Sequence, residues 1–327
     1  MHLNVFVSQS CFSHCKGCYS YSREEAKGKK VTTEKLTEFF RFAYDEGVNK
    51  VTFCGGDPLT REDIITLLER TKNIGFNISL DTLGSPIIKN VESDNRTIVK
   101  QLDPQLIAQL VDTIGIPIDG STNEIFKRFR QSKSDMVKEQ LAICQKLHEF
   151  GAHICINTVA HKGNLEDAYN LARLVKEMNY IEKWQIFQYM PLGKFGYKNK
   201  ASFEITMEQF DEFKQNVINV FENDTSKLQF KDLANRKNKY MLIDNSGNAW
   251  IPSTDTMSTN NCSYILNGKT IIGNINRIED WNRISTFLDK NEVQPYKIHN
   301  LFGENCKTNE NIINTVRKFN NLTTEYN

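Results

Sequence analysis

Short apolar runs alternate with amphipathic helical patterns along the first 195 residues of this chain. The run LNVFVS near the N-terminus is typical of a buried strand, and TTEKLTEFFRFAYDEG is typical of a helix that Thr32 or Thr33 caps. This strand-then-helix unit recurs about six times. Such alternation predicts an α/β fold, in which helices lie outside a parallel sheet. Six units predict a partial (β/α)6 barrel, which is a TIM-like barrel that closes only in part.

The alternation weakens after residue 200. The stretch KYMLIDNSGNAWIPS predicts two strands joined by an Asn-Ser-Gly turn, and NGKTIIGNI predicts a third strand. Amphipathic helices are predicted on either side of these strands, in TMEQFDEFKQNVINVF and in RIEDWNRISTFL. We therefore expect two units, a barrel over residues 1–200 and a small α+β extension over residues 201–327.

The composition carries no strong charge bias. The chain has 327 residues and a formal net charge of +1, so a dedicated nucleic-acid-binding role is not expected. The basic stretch KRFRQSK is short, and we expect it to be solvated or to meet an anionic substrate. No apolar run approaches the ~20 residues of a membrane span, and MHLNVFVSQ lacks the features of a secretory signal. We therefore expect a cytoplasmic protein with reduced cysteines.

Three cysteines follow the first predicted strand, in CFSHCKGCY. Cys11, Cys15 and Cys18 have the spacing C-x3-C-x2-C. A disulfide does not suit an odd number of thiols in a reducing compartment. A structural zinc takes four ligands, which Cys54 or His14 could complete, but the spacing is poor for a zinc knuckle. An iron–sulfur cube fits better, because thiolates are its ligands and three of them leave one iron open.

This motif resembles the cluster-binding loop of the radical S-adenosylmethionine (radical SAM) superfamily, and Tyr19 supplies an aromatic residue after the third cysteine. One strand–helix unit later, FCGGDPL resembles the glycine-rich motif that follows the second strand in that superfamily. Most members carry Glu where this chain has Asp57, and the GGDPL form also occurs in activating enzymes of the superfamily. The resemblance covers about residues 3–195 and is strongest at these two motifs.

The resemblance implies a [4Fe–4S] cluster on the three cysteines and S-adenosylmethionine as a second cofactor. The amino and carboxylate groups of S-adenosylmethionine would chelate the open iron. A low-potential electron, from a donor such as flavodoxin or ferredoxin, would break the S–C5′ bond and release a 5′-deoxyadenosyl radical. That radical would abstract hydrogen from the substrate. The cofactor carries this chemistry, while the protein positions it and excludes water.

Further cofactor contacts are expected where the predicted strands end. Gly55 and Gly56 carry no Cβ and would let the backbone approach the methionine amino group. Asp81, in SLDTLG, lies in a stretch that resembles the D-T-x-G segment of glycyl-radical-enzyme activases, near the methionine moiety; an Asx-type turn is the alternative. Asp119, in IDGS, ends the fourth predicted strand, where barrels place active-site groups.

Two polar residues lie within the fifth and sixth predicted strands. Their sequences, INTVAHKGN and WQIFQYMPLG, resemble the corresponding strands of many radical SAM barrels, including viperin-type nucleotide enzymes. The resemblance implies that Asn157 contacts the ribose of the cofactor and that Gln188 approaches its adenosyl group. Because a polar side chain inside a parallel strand needs a partner, a neighbouring backbone group is the alternative for each.

The extension carries few cysteines. Many peptide-modifying relatives bind auxiliary clusters there with seven or so cysteines, whereas only Cys262 and Cys306 lie beyond the barrel in this chain. Since LIDNSGNAWIP and IIGNI resemble the scaffold of that extension, we expect a degenerate version without an auxiliary cluster. Cys262 lies in a polar stretch and is a candidate hydrogen donor for an epimerase, with an inert surface thiol as the alternative. Cys144 and Cys155 are expected in the core.

Three classes of function remain open. Modification of a ribosomally synthesised peptide, by epimerisation or cross-linking, suits an enzyme with a degenerate peptide-type extension. The alternative is small-molecule chemistry, either a viperin-like nucleotide reaction or the activation of a glycyl-radical enzyme, which GGDPL and LDTLG support. The third is a non-catalytic iron–sulfur or zinc module, although a cluster alone needs no glycine-rich methionine cradle. The expected partners are a peptide or small-molecule substrate and an electron donor.

Overall fold

The computed structural model describes residues 2–20, 30–93, 96–132, 134–222, 224–233, 241–252, 265–266 and 269–290. The strands of this part of the chain are β1 (His2–Ser8), β2 (Lys50–Gly55), β3 (Asn77–Asp81), β4 (Val91–Ser93), β5 (Arg96–Val99), β6 (Thr113–Pro117), β7 (Ile154–Ala160), β8 (Lys183–Gln188), β9 (Leu228–Lys231), β10 (Met241–Ile243), β11 (Asn248–Pro252), β12 (Ile265–Leu266) and β13 (Lys269–Asn274). Eleven of them form one sheet, and β4 pairs only with β5.

The α-helices of the described residues are α1 (Thr33–Asp45), α2 (Ile64–Ile74), α3 (Ser85–Ile88), α4 (Pro104–Leu110), α5 (Asn123–Phe129), α6 (Met136–Glu149), α7 (Ala168–Glu177), α8 (Gly193–Lys198), α9 (Lys200–Phe203), α10 (Met207–Val220) and α11 (Trp281–Lys290). A 3₁₀ turn at Pro58–Thr60 follows β2. None of these helices is both long enough and apolar enough to cross a membrane.

The strand order confirms the predicted α/β fold. The sheet runs β12-β13-β11-β10-β1-β2-β3-β6-β7-β8-β9. The six strands predicted for the barrel, from β1 to β8, lie next to one another and are all parallel. Within the described residues β9 and β12 are the two ends of the sheet, so the barrel is partial, as six units predict.

Local sequence signals explain where several helices begin and end. The Thr32 side chain accepts a hydrogen bond from the Lys35 N–H at 3.2 Å, so Thr32 is the cap of α1. Helix α10 begins with a capping box formed by Thr206 and Gln209. Helix α2 ends at Gly75, whose φ of 113° falls in the left-handed region that favours glycine.

Alternate residues of the strands face opposite sides of the sheet. Leu3, Val5 and Val7 of β1 belong to the main apolar core, which they share with residues of the surrounding helices. The opposite, concave side of the sheet carries a second apolar cluster. Its buried members are Phe6, Cys54, Leu192, Leu242 and Trp250. Since this cluster joins residues of β1 and β2 to residues of β10 and β11, the extension lines the concave side together with the barrel.

The predicted extension continues the sheet of the barrel. Strand β10 pairs parallel with β1, and β11 and β13 follow as antiparallel strands. The predicted helices of the extension are observed as α10 and α11, while the boundary at residue 200 stays a prediction. The β4–β5 hairpin and β9 were not predicted from the sequence. These strands have three or four residues each, too few for their alternation to stand out.

Candidate active site

The cysteine loop, residues 11–18, follows β1 and is fixed by backbone hydrogen bonds. The Lys16 N–H donates to the Phe129 carbonyl oxygen at 3.1 Å, and the His14 N–H donates to that of Gln131 at 3.2 Å. These contacts hold the loop against the chain that follows α5. The loop therefore lies at the carboxyl end of the parallel strands, where α/β barrels place their active sites.

Polar groups surround two of the three thiols. The Ser13 hydroxyl lies 3.5 Å from the Cys15 sulfur, and the Arg130 Nη1 lies 3.9 Å from the same sulfur. The Ser20 hydroxyl lies 3.3 Å from the Cys18 sulfur. Hydroxyl and guanidinium groups can donate to a thiolate and stabilise its charge. The donors therefore suit cysteines that bind as thiolates.

Burial opposes thiolate formation until a metal replaces the proton. It raises the pKa of both Cys11 and Cys15, and the Arg130 charge partly offsets this rise in the pKa of Cys15. Metal binding releases these protons. No three His, Cys, Asp or Glu side chains in the described ranges converge to hold a single ion. In an iron–sulfur cluster each thiolate binds a separate iron, so the three thiols of the loop offer donors for such a cluster.

Gly55 and Gly56 lie against the start of the cysteine loop. The Gly56 N–H donates to the Ser8 carbonyl oxygen at 2.7 Å. A Cβ on Gly56 would lie 2.1 Å from the Ser10 carbonyl oxygen, and a Cβ on Gly55 would lie 2.7 Å from that of Ser8. Gly55 also has a φ of 127°. Both positions require glycine because the backbone of the chain itself approaches them, and their contact with the methionine amino group stays a prediction.

Asp57 joins the end of β2 to the loop that follows β3. Its buried carboxylate accepts hydrogen bonds from the Leu59 N–H at 3.0 Å and from the Thr82 hydroxyl and the Leu83 N–H, both at 2.7 Å. Burial raises the pKa of Asp57 to about 6, although these bonds lower it. Because protein donors occupy the carboxylate, this placement favours a positioning role over the predicted cofactor contact.

Asp81 and Asn157 meet on the concave side, although their strands are not neighbours. The Asn157 Nδ2 donates to the Asp81 Oδ1 at 2.9 Å across β6. Gly115 of β6 makes this possible, since a Cβ there would lie 2.1 Å from that oxygen and 2.5 Å from that nitrogen. Burial raises the pKa of Asp81 to about 6, against the effect of the Asn157 bond. The residues predicted at the methionine and the ribose thus form one polar pair.

Cys155 extends the polar pair along the concave side. Its thiol lies 3.5 Å from the Asn157 Oδ1, and the Gln185 Nε2 lies 3.1 Å from its sulfur. The thiol is buried, as the sequence predicts. Gln185 pairs in register with Asn157, which places both side chains on the same face of the sheet. Gln185 was not predicted as a site residue, because the sequence of β8 does not show which residues of β7 lie beside it.

Asp119 is fully buried and pairs with Arg130. The Arg130 Nε donates to one carboxylate oxygen, and the Val159 N–H donates to the other at 2.7 Å. The same guanidinium reaches Cys15, so Asp119 acts on the cysteine loop through Arg130. The predicted direct contact between Asp119 and the cofactor stays a prediction. Sequence analysis missed Arg130 as a site residue, and its only signal is the basic stretch KRFRQSK.

Gln188 lies away from the polar pair. It pairs in register with Ala160, which belongs to the main apolar core beneath the helices. Its Nε2 donates to the Ile205 carbonyl oxygen at 3.2 Å, and its Oε1 accepts from the Leu233 N–H at 3.0 Å. These backbone partners and this face do not support the predicted adenosyl contact. Strand alternation instead places Phe187, one residue earlier, on the concave side.

Aromatic rings flank the cysteine loop. Tyr19 is 40% exposed, and its ring meets that of Phe6 edge-on at 5.6 Å. Its hydroxyl also hydrogen-bonds the Cys54 side chain. Within the loop, a Cβ on Gly17 would lie 2.3 Å from the Phe129 ring. The rings therefore pack directly on the loop backbone, and the cofactor contact predicted for Tyr19 stays a prediction.

The structure brings together most of the predicted site residues at one edge of the sheet. Those grouped there are Cys11, Cys15, Cys18, Tyr19, Gly55, Gly56, Asp57, Asp81, Asp119 and Asn157. Gln188 faces the helices instead. Cys262, the predicted hydrogen donor, lies outside the described residues, as does Cys306.

The chain is similar to a known protein family and to several known proteins. The family model described as the Radical SAM superfamily matches residues 5–175, which is more than half of the chain. An "S-adenosylmethionine-dependent nucleotide dehydratase" of Lacinutrix mariniflava is 24% identical over 64% of this chain and 43% of its own length. A protein of the same description from Flammeovirga pacifica is 24% identical over 75% of this chain and 80% of its own length. The chain thus spans less than half of the first of these relatives.

Two solved structures share the fold. Streptococcus suis SuiB bound to S-adenosylmethionine has a TM-score of 0.60 at 14% identity, over 85% of this chain and 64% of that protein. The enzyme anSMEcpe, with bound AdoMet and Kp18Cys peptide, has a TM-score of 0.63 at 14% identity, over 88% of this chain and 82% of that protein. Both matches cover more residues than the 200 of the predicted barrel, so the similarity in fold includes part of the extension.

Proposed function

Because the chain belongs to the radical SAM superfamily, we propose that it is the radical SAM enzyme of a ribosomally synthesised peptide, which it epimerises or cross-links. Radical SAM enzymes use a [4Fe–4S] cluster and S-adenosylmethionine, and the three-thiol loop offers the matching donors. When bound, these cofactors supply an electron and a 5′-deoxyadenosyl radical that removes hydrogen from the substrate. The protein binds, orients and shields them.

The residues at the sheet edge divide this work. Cys11, Cys15 and Cys18 would hold the cluster, with the Arg130 guanidinium beside the second thiol. The glycine motif fixes the loop that carries these thiols, through its contacts with Ser8 and Ser10. The polar pair, Asp81 and Asn157, offers a carboxylate and an amide on the concave side, where hydroxyl and amino groups of S-adenosylmethionine can bind.

The shared extension is the observation that carries the peptide proposal. Strands β10, β11 and β13 continue the sheet beside β1 and line the concave side, through Leu242 and Trp250. The fold likeness to SuiB and to anSMEcpe extends into this region. Structures of those two proteins are described with a precursor peptide and with peptides, respectively. A site lined by an added unit suits a substrate larger than a metabolite.

A nucleotide substrate is the second candidate, and the sequence relatives favour it. Two of them are described as nucleotide dehydratases, and one from Methanococcus aeolicus as a probable GTP 3′,8-cyclase, which is 25% identical over 62% of this chain.

Substrate-dependent formation of 5′-deoxyadenosine tests the proposal. Anaerobically reconstituted protein with dithionite and S-adenosylmethionine should form it slowly, and a candidate precursor peptide from a neighbouring gene should accelerate it. Acceleration by CTP, GTP, UTP or ATP instead would support the nucleotide candidate. The Cys15→Ala variant is the matched control. Formation no faster than in that control would contradict radical SAM activity.

Epimerisation would need a hydrogen donor, and Cys262 is our candidate. Its thiol would give a hydrogen atom to the substrate radical and become a thiyl radical, which an external one-electron donor and a proton restore. In deuterated water the wild-type enzyme should place one solvent deuterium in the product. Cys262→Ala should still form 5′-deoxyadenosine but should not deliver that hydrogen. An unchanged product would remove Cys262 and favour cross-linking or the nucleotide reaction.

A further inference from the structure

A basic surface surrounds the cysteine loop. Five lysines of the loop and its neighbouring segments form this surface, which we name the basic collar; they are Lys16, Lys127, Lys162, Lys198 and Lys200. We propose that the basic collar docks an acidic one-electron carrier protein, which reduces the cluster. This inference rests on the proposed radical SAM activity and assigns a surface to its electron donor.

Hydrogen bonds join the segments that carry these lysines to the cysteine loop. The Asn199 Nδ2, between α8 and α9, donates to the Lys16 carbonyl oxygen at 2.9 Å. The Lys16 N–H donates to the Phe129 carbonyl oxygen at the end of α5, at 3.1 Å. The Lys162 N–H donates to the Phe203 carbonyl oxygen at the end of α9, also at 3.1 Å. The segments are therefore contiguous, and of their lysines Lys16, Lys162, Lys198 and Lys200 are exposed while Lys127 is half-buried.

The charge of this region differs from that of the whole chain. The cysteine loop and the segments around it span residues 12–18, 122–131, 161–164 and 195–204, which hold seven Lys or Arg and two Asp or Glu. With Asp119, the ion-pair partner of Arg130, the net charge is +4. The whole chain has a net charge of +1. One of the two acids, Glu124, already pairs with Arg128 at 3.1 Å. In the described part of the chain none of the five collar lysines forms an ion pair, although the Lys200 Nζ lies 5.2 Å from the centroid of the Tyr197 ring.

The position of the collar suits an electron donor. Lys16 is exposed and stands between two of the cluster ligands, Cys15 and Cys18. Electron transfer slows steeply with distance, so a carrier has to dock where the cluster is nearest to solvent. The polar pair and the second apolar cluster face the concave side of the sheet instead. A protein on the collar would therefore leave the concave side open to the substrate.

The reaction at this surface is a transfer of one electron. One electron leaves the reduced flavin or iron–sulfur group of the carrier and enters the cluster, and no atom is exchanged. Complementary charges speed the encounter of two proteins, and dissolved salt screens this effect. The carrier-dependent rate should therefore fall as the ionic strength rises, whereas a small chemical reductant needs no docking.

A charge-reversal variant tests the collar. We compare the wild type with Lys198→Glu/Lys200→Glu, using flavodoxin with its NADPH-dependent reductase in one arm and dithionite in the other. The readouts are the anaerobic loss of cluster absorbance and the rate of 5′-deoxyadenosine formation. With flavodoxin at low salt, we expect the variant to be about tenfold slower or more, because steering changes association rates by about 10–1,000-fold. With dithionite, both proteins should react at equal rates.

The matched control reverses two lysines at the other end of the barrel. Lys50 begins β2 and Lys146 lies in the last turn of α6, so Lys50→Glu/Lys146→Glu changes the net charge equally and should keep the flavodoxin rate. Equal flavodoxin rates for the wild type and the collar variant would overturn the proposal. An equal loss of rate in the collar variant with dithionite would also overturn the proposal, because that result is expected if the collar binds an acidic peptide substrate. A wild type that forms no 5′-deoxyadenosine with dithionite would instead contradict the proposed function.

Discussion

At the ends of β1 and β2 backbone lies against backbone, whereas at the end of β3 and in the middle of β7 two side chains are hydrogen-bonded to each other. Gly56 leaves room for the Ser10 carbonyl oxygen, and Gly115 leaves room for the hydrogen bond between Asp81 and Asn157. A Cβ would lie 2.1 Å from the nearest atom in both places. The first contact cannot relax unless the cysteine loop moves, while the second can relax by rotating two side chains.

This difference separates the two tasks of the site. The cysteine-loop side, formed by residues 8–18 and the glycine motif, has its geometry set by the main chain, as a fixed set of cluster ligands requires. The polar-pair side, formed by Asp81 and Asn157, has donors and acceptors that bind each other. They have to exchange partners if a cofactor binds them directly. We therefore expect damage to the first side to remove the cluster, and damage to the second to weaken S-adenosylmethionine binding alone.

The largest effect is expected from removal of a cluster ligand. Cys15→Ala leaves two thiolates, so iron content and visible absorbance should fall by about tenfold or more, since even an outer partner of a metal ligand is worth 10–100-fold. Formation of 5′-deoxyadenosine should be lost. The control is Cys144→Ala, which removes a buried thiol of α6 and should keep the iron. Iron analysis of anaerobically prepared protein decides, and full iron in Cys15→Ala would show that the loop is not the cluster site.

Gly56→Ala should disturb the geometry of the cysteine loop without removing a cluster ligand. The added Cβ meets the Ser10 carbonyl oxygen, which is backbone, so the loop has to shift. Overpacking of this kind costs about 1–3 kcal/mol in the free energy of unfolding. Iron content should fall as well. Gly196→Ala is the control, because its Cβ would lie 3.4 Å from the nearest atom, which is an ordinary van der Waals contact. Iron content and stability equal to those of the control would contradict a stiff contact.

The sequence predicts the cysteine-loop side of the site better than the polar-pair side. The cysteine spacing and the two glycines lie in short motifs, and the two motifs lie side by side because β1 and β2 are neighbours in chain order and in the sheet. The bond between Asp81 and Asn157 joins residues 76 positions apart across a third strand. No local pattern shows this pairing or its need for Gly115. The contact of Gln188 with the adenosyl group stays a prediction, and the sequence alone does not show which face its side chain takes until the register with β7 is known.

Gly115→Ala should disrupt the hydrogen bond between Asp81 and Asn157 and leave the cysteine-loop side unchanged. The new Cβ displaces the Asp81 and Asn157 side chains, and the lost hydrogen bond costs about 1 kcal/mol. Iron content should stay at the wild-type level. If the pair binds S-adenosylmethionine, its Kd should rise about fivefold, as ~1 kcal/mol implies. Equilibrium binding to the reconstituted protein measures this. An unchanged Kd would assign the pair a purely structural role, and a loss of iron would show that the two sides are coupled.

The smallest effect is expected from Asp57→Asn, which tests a carboxylate that joins the end of β2 to the loop after β3. An amide accepts fewer of the three hydrogen bonds that Leu59, Thr82 and Leu83 donate, but it also removes a buried charge. These effects oppose each other, so at pH 7.5 the free energy of unfolding should change by less than about 1 kcal/mol.

The pH dependence of this variant distinguishes the two effects. Burial raises the pKa of Asp57 from 3.8 to about 6, so between these pH values the folded protein binds more protons than the unfolded chain. The Asp57 contribution to stability is therefore full below that window and falls as the pH rises through it. The asparagine variant lacks this titration. The stability of the wild type relative to Asp57→Asn should consequently decrease from pH 5 to pH 7.5 in urea unfolding of the metal-free proteins, and a difference that increases with pH would mean that the carboxylate is stabilised as an anion.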